Sequence, residues 1–84
     1  MSVSALVLTL AEDPAAADDA LRAIAADDRF TLGQREGPRR VALVQDTPDR
    51  DADQAAHDWL LARPGVAFVD VVLVYLDPPA TEPR

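Results

Sequence analysis

The sequence predicts an α+β domain in which a four-stranded antiparallel sheet carries two helices on one face. Segments rich in Val and Leu alternate with Ala-rich segments in the order strand, helix, strand, strand, helix, strand. Each Ala-rich segment begins at an acidic or Thr residue followed by Pro, which is typical of a helix start. A chain of 84 residues supports only a thin core, which favours one sheet under one layer of helices.

The first half of the chain predicts a strand, a helix and a second strand. Residues 2–10 form the first strand, whose even-numbered leucines are expected to face the core. Asp13 as N-cap and Pro14 as the first helical residue start a helix that extends to about residue 26. Residues 30–35 predict a weaker second strand.

The second half repeats this pattern. Residues 39–45 predict a third strand that pairs with the second as an antiparallel hairpin. Thr47 as N-cap and Pro48 as the first helical residue predict the second helix, which ends before the Pro-Gly break at 64–65. Residues 66–76 predict the fourth strand, the longest apolar run of the chain.

This order of elements is the ferredoxin-like plan, βαββαβ. Right-handed crossovers put both helices on one face, the first and third strands in the centre of the sheet, and the second and fourth at its edges. We expect the domain to comprise residues 1–77 and the polar residues 78–84 to form a disordered tail. An apolar edge strand must be covered by another element, paired with another strand, or used to bind a partner.

With both helices on one face, the sequence predicts that the other face of the sheet is open. By alternation it is expected to carry Ala5, Val7 and Thr9 of the first strand, Val41, Leu43 and Gln45 of the third, and Phe68, Asp70, Val72 and Val74 of the fourth. An exposed apolar patch of this kind marks a binding surface or an oligomer interface.

The charge of the chain restricts its partners. Fifteen carboxylates against eight arginines give a net charge of −7, which repels nucleic-acid phosphates and attracts basic peptides. No apolar run is long enough to insert into a membrane. The lack of cysteine and of a basic segment before the first apolar run predicts a cytoplasmic protein.

The sequence predicts no catalytic site, no cofactor and no metal. His57 is the only histidine and falls within the second helix, where a half-exposed helical residue is the simpler interpretation. Asp49, Asp51 and Asp53 have the spacing of a calcium loop. They lack the loop glycine and terminal glutamate, and they follow a proline, so they indicate the first turns of a helix.

Three segments resemble the NapD family, small cytoplasmic chaperones for the periplasmic nitrate reductase. They are Ser4-Ala5-Leu6-Val7-Leu8, Pro64-Gly65-Val66 after the second helix, and Val72-Leu73-Val74-Tyr75 at the end of the fourth strand. The resemblance covers nearly the whole chain. It implies a ferredoxin-like chaperone that binds the twin-arginine signal peptide of a molybdoenzyme precursor and holds back its export until maturation is complete.

On this hypothesis the open face is the peptide site. The apolar part of the peptide is expected to contact Val7, Val41, Leu43, Phe68 and Val72, with Ala5, Thr9 and Val74 on the same surface. Asp70, together with Glu36 or Asp77, is expected to attract the arginines.

Two alternatives remain open from the sequence. The first is a ferredoxin-like interaction or regulatory module without catalysis, which forms a homodimer through the open face or the fourth-strand edge. The second is a small enzyme, such as a dimeric α+β barrel acting on an apolar substrate. Its only candidate polar groups are His57, Asp70 and Tyr75, which lie on different elements.

Overall fold

Four strands form one antiparallel sheet with two helices on one side of it, as the sequence predicts. The computed structural model describes residues 2–76, so the predicted tail at 78–84 lies outside the described residues. The elements are β1 (Ser2–Leu10), α1 (Pro14–Ala25), β2 (Phe30–Arg35), β3 (Arg40–Thr47), α2 (Arg50–Leu61) and β4 (Val66–Leu76). The strand order is β2-β3-β1-β4, which is the ferredoxin-like arrangement with β2 and β4 at the edges.

The start of α1 confirms the prediction, whereas α2 begins later than expected. The Asp13 carboxylate accepts a hydrogen bond from the Ala15 amide at 3.2 Å, and Pro14 is the first helical residue. In α2 the N-cap is Asp49, not Thr47, and its carboxylate accepts from the Ala52 amide at 2.8 Å. Thr47 stays in β3 because the β1–β3 ladder extends to it, opposite Ser2.

The core lies between the helices and one face of the sheet. The leucines of β1 face it as predicted, and α1 contributes Ala17, Ala20 and Ile24. From α2 the buried residues are Ala56 and Leu60. The complete buried cluster is Leu6, Leu8, Leu10, Ala17, Ala20, Ile24, Phe30, Val41, Leu43, Ala56, Leu60, Val66 and Val69.

Trp59 closes the core at the β2 side. It is half-buried, and its ring stacks on Phe30 with 5.6 Å between centroids and 21° between planes. The guanidinium of Arg63 lies 4.4 Å from the Trp59 ring centroid, and that of Arg29 lies 5.3 Å from it. The Trp59 side chain is therefore part of the packing.

Candidate functional site

The face of the sheet opposite the helices is uncovered within residues 2–76. On β1 it carries Val3, Ala5, Val7 and Thr9, all of them partly exposed. Strand pairing fixes their neighbours, because residues opposite each other in adjacent strands point to the same side. The neighbours of Val7 are Ala42 and Asp70, those of Ala5 are Val44 and Leu73, and those of Thr9 are Arg40 and Phe68.

A shallow apolar depression of about 300 Å³ lies in the middle of this open face. Ala5, Ala42 and Gly33 leave the space, since their side chains end at Cβ or before it. A Cβ on Gly33 would lie 3.3 Å from the Ala42 carbonyl oxygen, so this part of β2 lies close against β3. The surrounding side chains are Val7, Thr31, Val44 and Val72. The depression can receive apolar side chains of a partner.

Three charged residues of β3 and β4 lie on the open face. Asp70 is half-buried beside Val7, and Asp46 is exposed opposite Val3. Arg40 is exposed opposite Thr9, at the other end of β3 from Asp46. The face is therefore negative at the Asp46 end and at its β4 flank, and positive at the Arg40 end.

The other two acids predicted to attract arginines are Glu36 and Asp77, and neither is found on the open face of the described sheet. Glu36 lies in the exposed turn between β2 and β3, where its amide donates to the Arg40 carbonyl oxygen at 2.7 Å. Asp77 lies outside the described residues. Of the acids predicted to attract arginines, only Asp70 lies on the open face of the described sheet.

Six of the nine residues predicted as peptide-binding lie on the open face. They are Ala5, Val7, Thr9, Phe68, Asp70 and Val72. Phe68 is 55% exposed and Val72 is 64% exposed. Their orientation follows from strict alternation along β1 and the first part of β4.

The prediction for β3 is wrong by one residue. Val41 and Leu43 are each only 2% exposed and belong to the core, opposite Leu8 and Leu6 of β1. Gln45 is on the same helix-covered side and is 1% exposed. The larger apolar side chains of β3 pack on the helices because that burial is more favourable, which leaves Ala42 and Val44 on the open face.

The prediction for Val74 is also wrong. Leu6 pairs with Val71 and Ala5 pairs with Leu73, so Val72 is an extra residue in β4, a β-bulge. Beyond the bulge the alternation is reversed. Leu73 joins the open face and Val74 turns to the helix-covered side, opposite Ser4.

The sequence reasoning therefore missed six side chains of the open face, namely Thr31, Arg40, Ala42, Val44, Asp46 and Leu73. For β1 the larger apolar set is expected to face the core. The same rule applied to β3 puts Val41 and Leu43 in the core and leaves Ala42 and Val44 on the open face. Leu73 depends on the bulge, which no glycine or proline in β4 marks.

The polar groups considered for catalysis are separated by the sheet. His57 lines a cleft on the helix-covered side, whereas Asp70 is on the open face. Within residues 2–76, no three His, Cys, Asp or Glu side chains are grouped so that they could hold a metal ion. Neither helix of this part of the chain is long and apolar enough to cross a membrane.

Comparison of the chain with protein-family models, curated proteins and solved structures gives no match.

Proposed function

We propose that the chain is a binding protein rather than an enzyme, and that it holds the twin-arginine signal peptide of a molybdoenzyme precursor on its open sheet face. In this role it delays export of the precursor until the cofactor is loaded. Such a chaperone acts in the cytoplasm, where the precursor is made.

The observation that carries this proposal is the apolar depression beside a half-buried carboxylate on an uncovered sheet face. Val72 and Leu73 are more than 60% exposed there, and Val44 is 42% exposed. Covering one Val or Leu side chain completely stabilises a complex by about 1.5–3 kcal/mol. A partner that covers these three residues therefore gains several kcal/mol before the entropic costs of binding.

A twin-arginine signal peptide has the matching chemistry, because a basic segment precedes an apolar one. The apolar segment fits the depression between Val7, Val44 and Val72. The arginines are drawn to Asp70 and Asp46 and away from Arg40. Asp70 and Asp46 thus give the basic segment two acidic contacts on the face, at the levels of Val7 and Val3 of β1.

The test is a calorimetric titration with a synthetic twin-arginine signal peptide from a nitrate reductase precursor, beside a peptide of scrambled sequence. We expect selective binding by the wild-type chain. Val44→Glu puts a charge at the depression and is expected to weaken binding at least tenfold. Asp70→Arg replaces the attracting charge and is expected to weaken it by a similar factor.

Two matched variants serve as controls. Leu61→Glu makes the same apolar-to-acid change at a 51% exposed residue of α2, on the helix side of the sheet. Asp28→Arg makes the same charge reversal at an exposed residue after α1. Both are expected to bind like the wild type. Full affinity in folded Val44→Glu and Asp70→Arg proteins would reject the open face as the peptide site.

A second candidate is an interaction module that pairs with its own copy through β4. Along β4, Val71, Val72, Leu73 and Val74 are all at least half exposed, and within the described sheet β4 pairs only with β1. An unprotected apolar edge is a template for strand pairing. Sedimentation at micromolar concentration, together with the peptide titration, separates the two candidates. A tight dimer that does not bind the peptide favours the interaction module.

A further inference from the structure

The open face has opposite charges at its two ends, at equal distances from its middle. Leu6 and Leu43 pair across β1 and β3 and mark the level of this middle. Arg40 is three residues from Leu43 in one direction along β3, and Asp46 is three residues from it in the other. Both charged side chains are exposed, and among residues 2–76 neither has an ion-pair partner. The face is therefore complementary in charge to a second copy that runs in the opposite direction.

The apolar side chains between these charges are arranged in the same way by size. On β1, Ala5 and Val7 lie on either side of the middle, and on β3, Ala42 and Val44 do so. Reversing the strand direction exchanges the members of each pair, so each valine of one copy faces an alanine of the other. The two alanines help to form the depression of about 300 Å³. The valines of a second copy therefore fill the space that the alanines leave.

We propose that two copies of the chain pair through their open faces as a symmetric dimer. The twofold axis lies between the two sheets, perpendicular to the strands, at the level of Leu6 and Leu43. Each Arg40 then faces the Asp46 of the other copy, which gives two equivalent ion pairs. Packed sheets cross at roughly 30°, so strand positions about 10 Å from the axis are displaced sideways by about 5 Å. The long arginine side chain spans this offset.

The size and charge of the interface make this dimer weak. Four strands about 4.8 Å apart and about seven residues long cover roughly 450 Å² in projection. The buried area is therefore about 1,000 Å² for both copies together, at the low end of specific interfaces. The net charge of −7 on each copy adds a long-range repulsion. We expect a dissociation constant of about 10–100 µM, so that the face is free for other partners at low concentration.

The pairing itself does not rest on the proposed function, but a peptide on the same face would compete with it. Asp70 separates the two events. In the dimer β4 lies over β4 of the other copy, so the two Asp70 carboxylates are on the same flank and repel each other. The arginines of a peptide are instead attracted to Asp70. Asp70→Asn is therefore expected to weaken peptide binding without weakening the dimer.

The experiment is sedimentation velocity of the full chain without peptide, from about 10 µM to about 1 mM. We expect a reversible monomer–dimer equilibrium for the wild type. Arg40→Asp and Asp46→Arg each place like charges opposite one another, and each is expected to weaken the dimer at least tenfold. An equimolar mixture of the two variants places opposite charges together again at both positions. The mixture is expected to pair like the wild type, and so is the double variant.

Two matched variants control for the change in net charge. Arg50→Asp changes an exposed residue at the start of α2, and Asp28→Arg changes an exposed residue after α1, both outside the open face. Both are expected to pair like the wild type. A wild-type chain that stays monomeric to about 1 mM would overturn the proposal. So would a mixture that fails to restore pairing, or a dimer that Arg40→Asp and Asp46→Arg leave intact, which would point to the β4 edge. Since no peptide is present, these outcomes leave the proposed function to its own test.

Discussion

At the scale of single residues, Asp27 and Arg29 form a bidentate ion pair just before β2. Arg29 donates to both carboxylate oxygens of Asp27, at 2.9 and 2.8 Å, and its amide donates to the same side chain at 3.0 Å. The Arg29 guanidinium is thereby held 5.3 Å from the ring centroids of Phe30 and Trp59. Asp27 therefore positions a cation on the aromatic pair that closes the core.

This geometry has a consequence for stability against acid. The hydrogen bonds from Arg29 lower the pKa of Asp27 below its ordinary value of 3.8, and they raise the pKa of Arg29. A carboxyl with a lowered pKa stabilises the folded state at every pH above its unfolded pKa. That contribution is lost as the pH falls through the lower, folded value.

We therefore predict that Asp27→Asn lowers the free energy of unfolding by about 1 kcal/mol at neutral pH. The difference from the wild type is expected to shrink as the pH falls below 3.8. Urea unfolding at a series of pH values measures it. Asp28→Asn removes the same charge from an exposed neighbour and controls for the general self-repulsion of an acidic chain. A constant difference between Asp27→Asn and this control over the whole pH range would contradict the prediction.

At the scale of elements, the approach of α1 to the start of β4 depends on Gly65. The Gly65 carbonyl oxygen accepts from the Ala11 amide at 2.8 Å, which joins the end of β1 to the start of β4. A Cβ on Gly65 would collide with the backbone of Ala16 in α1 and lie 2.7 Å from the Ala20 side chain. The helix can lie this close because Gly65 has no side chain.

We predict that Gly65→Ala destabilises the fold by about 3 kcal/mol or more, since α1 must move away from the sheet. Gly37→Ala is the comparison. Gly37 has φ +89° in the β2–β3 turn and open space around it, so alanine there meets only backbone strain of about 1–2 kcal/mol. Thermal and urea unfolding of the two variants measures both losses. An equal loss of stability in the two variants would show that the close approach of α1 is not what disfavours a side chain at Gly65.

At the scale of the whole molecule, the net charge of −7 attracts basic partners over a long range. This attraction adds to the local attraction that the Asp70 and Asp46 carboxylates exert on the arginines of the peptide. This attraction is screened by salt, because the Debye length falls from roughly 10 Å at 0.1 M to roughly 3 Å at 1 M. The apolar contacts in the depression are not weakened by salt in this way. Salt therefore separates the two parts of the proposed binding.

We predict that raising the NaCl concentration from about 0.05 M to about 0.5 M weakens binding of the twin-arginine peptide several-fold. A peptide with both arginines replaced by glutamine is expected to bind more weakly and to show little salt dependence. Fluorescence anisotropy of labelled peptides measures both. The same salt response for the two peptides would mean that the arginines do not contribute through charge.

The sequence by itself determined the element order, the ferredoxin-like sheet and the bounds of most elements, because alternation, capping residues and proline breaks are local signals. It also determined which side of β1 is buried, since the leucines are the larger set. Only the tertiary structure decided which sides of β3 and late β4 face outward. Those orientations depend on pairing between strands distant in sequence and on one extra residue, Val72, and a shift of one residue exchanges the two faces of a strand.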